Sequence, residues 1–104
     1  MANLSDQNVL PDLINQTWTL YQQAQDDAQK ARLLGQLQDL TQRLASLSDV
    51  TLDKTKQQYK NAVTAVQNAT RQVKQAQQDQ AKVAAAIGQI ASVISALAKL
   101  AAMA

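Results

Sequence analysis

The side chains that could do chemistry in this 104-residue chain are few, because it contains neither His nor Cys and all eight acidic residues are Asp. The commonest general base and the commonest zinc ligand are therefore missing, as is any disulfide framework. Asp26 and Asp27 are adjacent, but neighbours on a helix project about 100° apart and do not converge as an acid–base pair. No phosphate-binding glycine motif or metal-ligand spacing is present. The sequence predicts a protein that is not an enzyme and has no cofactor, metal or small-molecule substrate.

Two further groups of side chains could contact a ligand. Trp18 and Tyr21 lie one helical turn apart, and we expect them in a core or an interface rather than around a stacked ligand. The cations of the second half spread over several faces and are interleaved with Gln, without aromatic residues for base stacking. Nucleic acid is therefore not an expected partner. These cations include two closely spaced pairs: Lys56 and Lys60, Arg71 and Lys74.

The elements that carry these residues are helices. Between Leu52 and Ala101 an apolar seam recurs at alternating steps of three and four residues, a period of about 3.5 that is typical of helices packed lengthwise. No Lys, Arg or Asp lies on the seam. The chain contains one Pro and two Gly and is rich in Ala and Gln, which leaves little sequence for turns. The sequence predicts an all-α protein.

The pattern predicts one domain, residues 1–104, built as a long antiparallel helical hairpin or coiled coil. Helix 1 covers about 11–47, a turn covers 48–51, and helix 2 covers about 52–103. Residues 1–50 contain six Asp and three basic residues (net −3), and residues 51–104 contain two Asp and seven basic residues (net +5). These opposite charges favour pairing of the two halves.

The two predicted helices differ in length, about 55 Å against about 75 Å at 1.5 Å per residue. Residues 83–104 form an amphipathic end with a wide apolar face, and the part of this end beyond about residue 89 has no partner on helix 1. We expect self-association to complete a bundle there, and the polar Gln80 to fix the register. A fold-back at Gly88 is an alternative. The expected interface residues are Val83, Ile87, Ile90, Val93, Ile94, Leu97 and Leu100.

The expected function is that of a non-enzymatic interaction or assembly protein, which binds itself or another protein through this segment. One alternative is a membrane-active or secreted helical hairpin, a secretion substrate or a small pore or lysis factor, whose last helix contacts lipid. Another is an adaptor or inhibitor of a bacterial protein. The N-terminal segment does not have the pattern of a Sec signal peptide, which predicts a cytoplasmic location or signal-independent export.

The size and the predicted two-helix layout resemble the small helical-hairpin proteins that specialised bacterial secretion systems export. One such family carries Trp-x-Gly in the turn between its helices. Here the turn is predicted at residues 48–51, and the single Trp, Trp18, lies in helix 1. The resemblance is one of architecture, and it assigns no family and no functional residues.

Overall fold

A computed structural model describes residues 9–48 and 56–102 of the chain. This part contains four α-helices and no strand, so the predicted all-α class is confirmed. A 3-10 turn, Gln80–Lys82, precedes the last helix. The helices are α1 (Leu10–Gln23), α2 (Asp27–Ser48), α3 (Gln57–Gln78) and α4 (Val83–Ala102).

Each helix packs on two neighbours. The contacts are α1 with α2, α2 with α4, α4 with α3, and α3 with α1, so the four helices form a square array. Consecutive helices are joined by short turns into a first pair, α1–α2, and a second pair, α3–α4. The array measures 40 × 21 × 19 Å, which is shorter than either of the two predicted rods.

The prediction of two continuous helices was wrong, because each of them breaks near its middle at an Asp. Ala24 leaves α1 in an extended conformation, and Asp26 Oδ1 then accepts a hydrogen bond of 2.9 Å from the Gln29 amide. Asp79 leaves α3 in the same way and accepts a bond of 3.0 Å from the Ala81 amide. A short side chain that accepts hydrogen bonds from the free amides at a helix start lowers the free-energy cost of such a break.

Breaking the helices lets the apolar seam fold onto itself. Most of its positions lie in one core cluster, which includes Tyr59, Val66 and Val73 from α3 and Leu13, Leu33 and Leu40 from the first pair. Burying a large aliphatic side chain contributes about 1.5–3 kcal/mol, so the core outweighs the few helical hydrogen bonds lost at each turn. The seam was read correctly as buried, but it is buried within one chain.

Two further expectations have a structural outcome, and a third, the turn at 48–51, does not. Gly88 lies inside α4, so no third helix folds back there, and Gly35 lies inside α2. Gln80 is exposed in the 3-10 turn instead of lying on a helical seam. The predicted turn at 48–51 lies outside the described residues beyond Ser48, where α2 ends.

Glutamine side chains connect the two helix pairs. Gln77 of α3 donates to both the carbonyl and the side-chain oxygen of Gln16 in α1, each at 2.9 Å. Gln80 donates to the Gln23 carbonyl at 3.3 Å, and Gln36 of α2 donates to the Ile87 carbonyl of α4 at 3.0 Å. Gln16 and then Gln23 along α1 bond to Gln77 and then Gln80 along the second pair. The partners follow in the same order, so α1 and α3 run parallel. The Gln80 bond joins the turn after α3 to the end of α1, and a role of Gln80 in setting the register stays a prediction.

Candidate interaction surface

An apolar groove runs along the outer side of the first helix pair. It has a volume of about 440 Å³ and opens to solvent between α1 and α2. Within the described part of the chain, Trp18 and Leu34 are the exposed large apolar side chains, 47% and 38% accessible, and both line this groove. The lining side chains are Ile14, Trp18, Leu34, Leu37, Gln38, Thr41 and Gln42.

The helical repeat explains how these residues reach one surface. Ile14 and Trp18 are four residues apart and share a face of α1. On α2, Leu33 and Leu34 are consecutive and project about 100° apart, so the core need not bury both of them. Leu33 is fully buried, and Leu34 is left on the surface. Thr41 donates to the Leu37 carbonyl at 2.8 Å, which satisfies its hydroxyl locally.

Trp18 is held in place from one side. Its ring stacks on Tyr21 with the ring centroids 5.3 Å apart and the planes inclined by 27°. The Lys30 ammonium lies 5.4 Å from the centroid of the Tyr21 ring, within the range of a cation–π contact. These contacts order the indole without covering it. Trp18 therefore lies outside the core of the chain, and the interface position that was the other part of the expectation stays a prediction, while Tyr21 is half-buried against the core.

The residues expected at an intermolecular interface lie inside the chain. Six of the seven are buried in the intramolecular core, and Ile94 is half-buried against it. The premise that some of them extend beyond helix 1 is wrong, because the break at Asp79 folds α4 back along α3, next to α2. The six buried residues are Val83, Ile87, Ile90, Val93, Leu97 and Leu100.

Sequence reasoning missed the groove, although a signal was present. The run Leu33–Leu34–Gly35 interrupts the heptad phase of the first half, and such an interruption leaves one apolar side chain off the core face.

Helix α4 offers a different surface. The segment Gln80–Ala102 is the one described helix that is long and apolar enough to cross a membrane; its most apolar 18-residue window has a mean hydropathy of 1.7, and 39% of that window is buried.

No catalytic or metal-binding constellation accompanies the groove. No group of three His, Cys, Asp or Glu side chains suited to a metal ion is found among residues 9–48 and 56–102. The groove lining contains only apolar, amide and hydroxyl side chains. Comparison with protein-family models, curated proteins and solved structures finds no match to this chain. The groove can bind apolar surface and exchange hydrogen bonds, but it has no group to transfer a proton or hold a charge.

Proposed function

We propose that this chain is a non-enzymatic interaction protein that self-associates through the α1–α2 groove. The observation that carries the proposal is the exposed indole of Trp18 beside Leu34 at the edge of the groove. Trp is among the residues that contribute most to binding when an interface buries them. About half the surface of a Trp side chain is on the order of 100 Å², worth roughly 2.5 kcal/mol when removed from water.

A second copy of the chain is the occupant that the groove chemistry favours. A two-fold interface places the same patch on both subunits, so a patch with a net charge of one sign would face the same sign across the interface. The lining of this groove carries no charge, and it avoids that cost. Gln38 and Gln42 each carry both donors and acceptors, so they can pair with the same residues of another copy.

The geometry also supplies both halves of a two-fold contact. Each chain presents the 47% exposed Trp18 and, beside it in the same groove, the half-buried Ile14 and the buried Leu37. In a two-fold pair, the indole of each chain can enter the groove of the other. The interface proposed from the sequence, within α4, requires α4 to leave the core and is not the one proposed here.

The test is the mass of the wild-type chain and of Trp18→Ala by sedimentation equilibrium over a wide concentration range. We expect a dimer for the wild type and a monomer for Trp18→Ala and for Leu34→Gln. Gln67→Ala, an exposed change on α3, is the matched control and should keep the dimer. A Trp18→Ala chain with wild-type mass, or a wild-type chain that stays monomeric, would overturn the proposal, and the second result would point to a different protein as the occupant.

Membrane contact by α4 is the second candidate, favoured by the length and hydropathy of Gln80–Ala102. In this proposal α4 leaves the array and inserts into a bilayer, which exposes the rest of the core. Ile94→Asp places a charge on a half-buried position and adds about 3 kcal/mol to the cost of insertion. We expect the wild type to release dye from vesicles and Ile94→Asp to release less, with Ile94→Ala as the control. Equal release by both variants would contradict insertion.

A further inference from the structure

The second helix pair carries a row of cations on the outer side of α3. Lys60, Arg71 and Lys74 are all exposed, and at 100° per residue they lie within an arc of about 60°. Lys56, also exposed, precedes the first turn and extends the row, which is about 27 Å long at 1.5 Å per residue. The sequence had suggested that these cations spread over several faces. On α3 they share one, and we call these four residues the basic row.

Among residues 9–48 and 56–102, no carboxylate is placed to neutralise the basic row. Neither α3 nor α4 contains an acidic residue. Asp79, between them, uses its carboxylate to cap the Ala81 amide, and Asp12 of α1 accepts a hydrogen bond from Gln16. Over the described residues the second pair has six cations and one Asp (net +5), whereas the first pair has three cations and four Asp (net −1). The positive charge is therefore concentrated on one side of the array.

We infer that the basic row binds the surface of an anionic lipid bilayer. Between the cations the exposed row contains uncharged polar residues such as Thr64 and Gln67, which suit an interface of headgroups and water. Each Lys or Arg near an anionic membrane strengthens binding about fivefold, so four act together with an affinity that depends steeply on salt and on anionic lipid. This inference does not depend on the α1–α2 groove.

Two features favour a bilayer over a nucleic acid. The aromatic residue of α3, Tyr59, is 1% exposed and cannot stack on bases. α4, joined to α3 by a short turn, is the described helix with the hydropathy of a membrane span. A docked basic row would hold α4 beside the bilayer.

The experiment measures co-sedimentation of the full chain with vesicles of phosphatidylcholine alone or mixed with phosphatidylserine, at low and at physiological salt. We expect binding to the mixed vesicles only, weakened by salt. The triple variant K60Q/R71Q/K74Q should lose on the order of 100-fold in affinity, as expected from about fivefold per cation. The matched control R32Q/K82Q/K99Q removes the same charge from exposed positions off the row and should lose less than about 10-fold.

Four outcomes would overturn the inference: equal losses in both triple variants, equal binding to both vesicle types, no binding to mixed vesicles, or retention on duplex DNA that depends on the basic row without vesicle binding. Circular dichroism of each variant separates loss of binding from loss of fold. Trp18→Ala should bind vesicles as the wild type does, and the K60Q/R71Q/K74Q chain should keep the wild-type mass. Failure of vesicle binding and failure of self-association are therefore distinguishable.

Discussion

Substitution of Ile90 by Ala tests whether the seam of α4 is an internal core or an intermolecular surface. Ile90 has no exposed surface in the structure. In the hairpin predicted from the sequence, the same residue lay beyond the end of helix 1 and needed a second molecule to cover it. The two arrangements differ in how the stability of the chain depends on its concentration.

The expected loss follows from the burial of Ile90. The substitution removes three carbons, each worth about 0.8 kcal/mol when fully buried, which gives roughly 2.4 kcal/mol of transfer free energy. The cavity left behind adds to this, and we expect a total of about 3 kcal/mol. For a domain of this size, that loss lowers Tm by about 12–24 °C. Ile94→Ala, at a half-buried position of the same helix, is the matched control and should cost about half as much.

The assay is thermal unfolding followed by circular dichroism, in a Trp18→Ala background that removes the proposed dimer contact. Each chain is measured at two concentrations about fortyfold apart. With an internal core, the Ile90→Ala loss is the same at both concentrations. The reasoning is refuted if the loss falls well below 1 kcal/mol, or if Tm rises with concentration in the parent chain and this rise disappears in Ile90→Ala.

Three further sets of substitutions give independent checks by chemical denaturation. Gly35→Ala and Gly88→Ala should each raise the free energy of unfolding by up to about 1 kcal/mol. A Cβ at either helical position meets no atom of the surrounding structure within 4 Å. A loss of stability would contradict the placement of these two glycines at exposed helical positions. Asp26→Ala and Asp79→Ala should each lower it by about 1 kcal/mol through loss of the cap, whereas the corresponding Asn variants keep most of it. Gln36→Met should change stability by less than about 1 kcal/mol, because the buried Gln36 Oε1 has no hydrogen-bond partner and its removal offsets the lost bond to α4; a loss above about 3 kcal/mol would show that Oε1 is satisfied.

The helical class and most of the buried seam could be predicted from the sequence, because the spacing of apolar residues indicates which face of a helix is buried. Tyr59, Val66 and Val73 were placed on this face correctly, and all three are buried. The same periodicity continues across Asp79 almost unchanged. A folded-back helix and a continuous one therefore look alike in the pattern.

The positions of the breaks could not be predicted from glycine and proline. Asp26 and Asp79 end one helix and cap the next, while both glycines lie within helices. Asp has a low helix propensity and a strong preference for the N-cap, so two Asp residues among long runs of Ala and Gln were the available signal. The choice between helix and cap depended on the tertiary core that the break makes possible.

The candidate groove depended on that same choice. Trp18 was expected in a core or an interface because both uses demand a large aromatic residue. Its exposure is visible only once α2 folds back along α1 and places Leu33, rather than Leu34, in the core. The apolar side chains of α4 show the reverse. They were expected at an intermolecular interface, and in the structure most of them are buried in the core of one chain.

The most direct test of self-association through the groove is the fluorescence of Trp18, the single tryptophan of the chain. The indole is 47% exposed in the isolated chain, so its emission and its quenching by acrylamide report directly on whether the groove is covered. We expect the emission to shift to shorter wavelength and the quenching to decrease over the concentration range in which sedimentation shows the mass to double. A doubling of mass with unchanged emission and quenching would place the interface elsewhere and contradict the proposal.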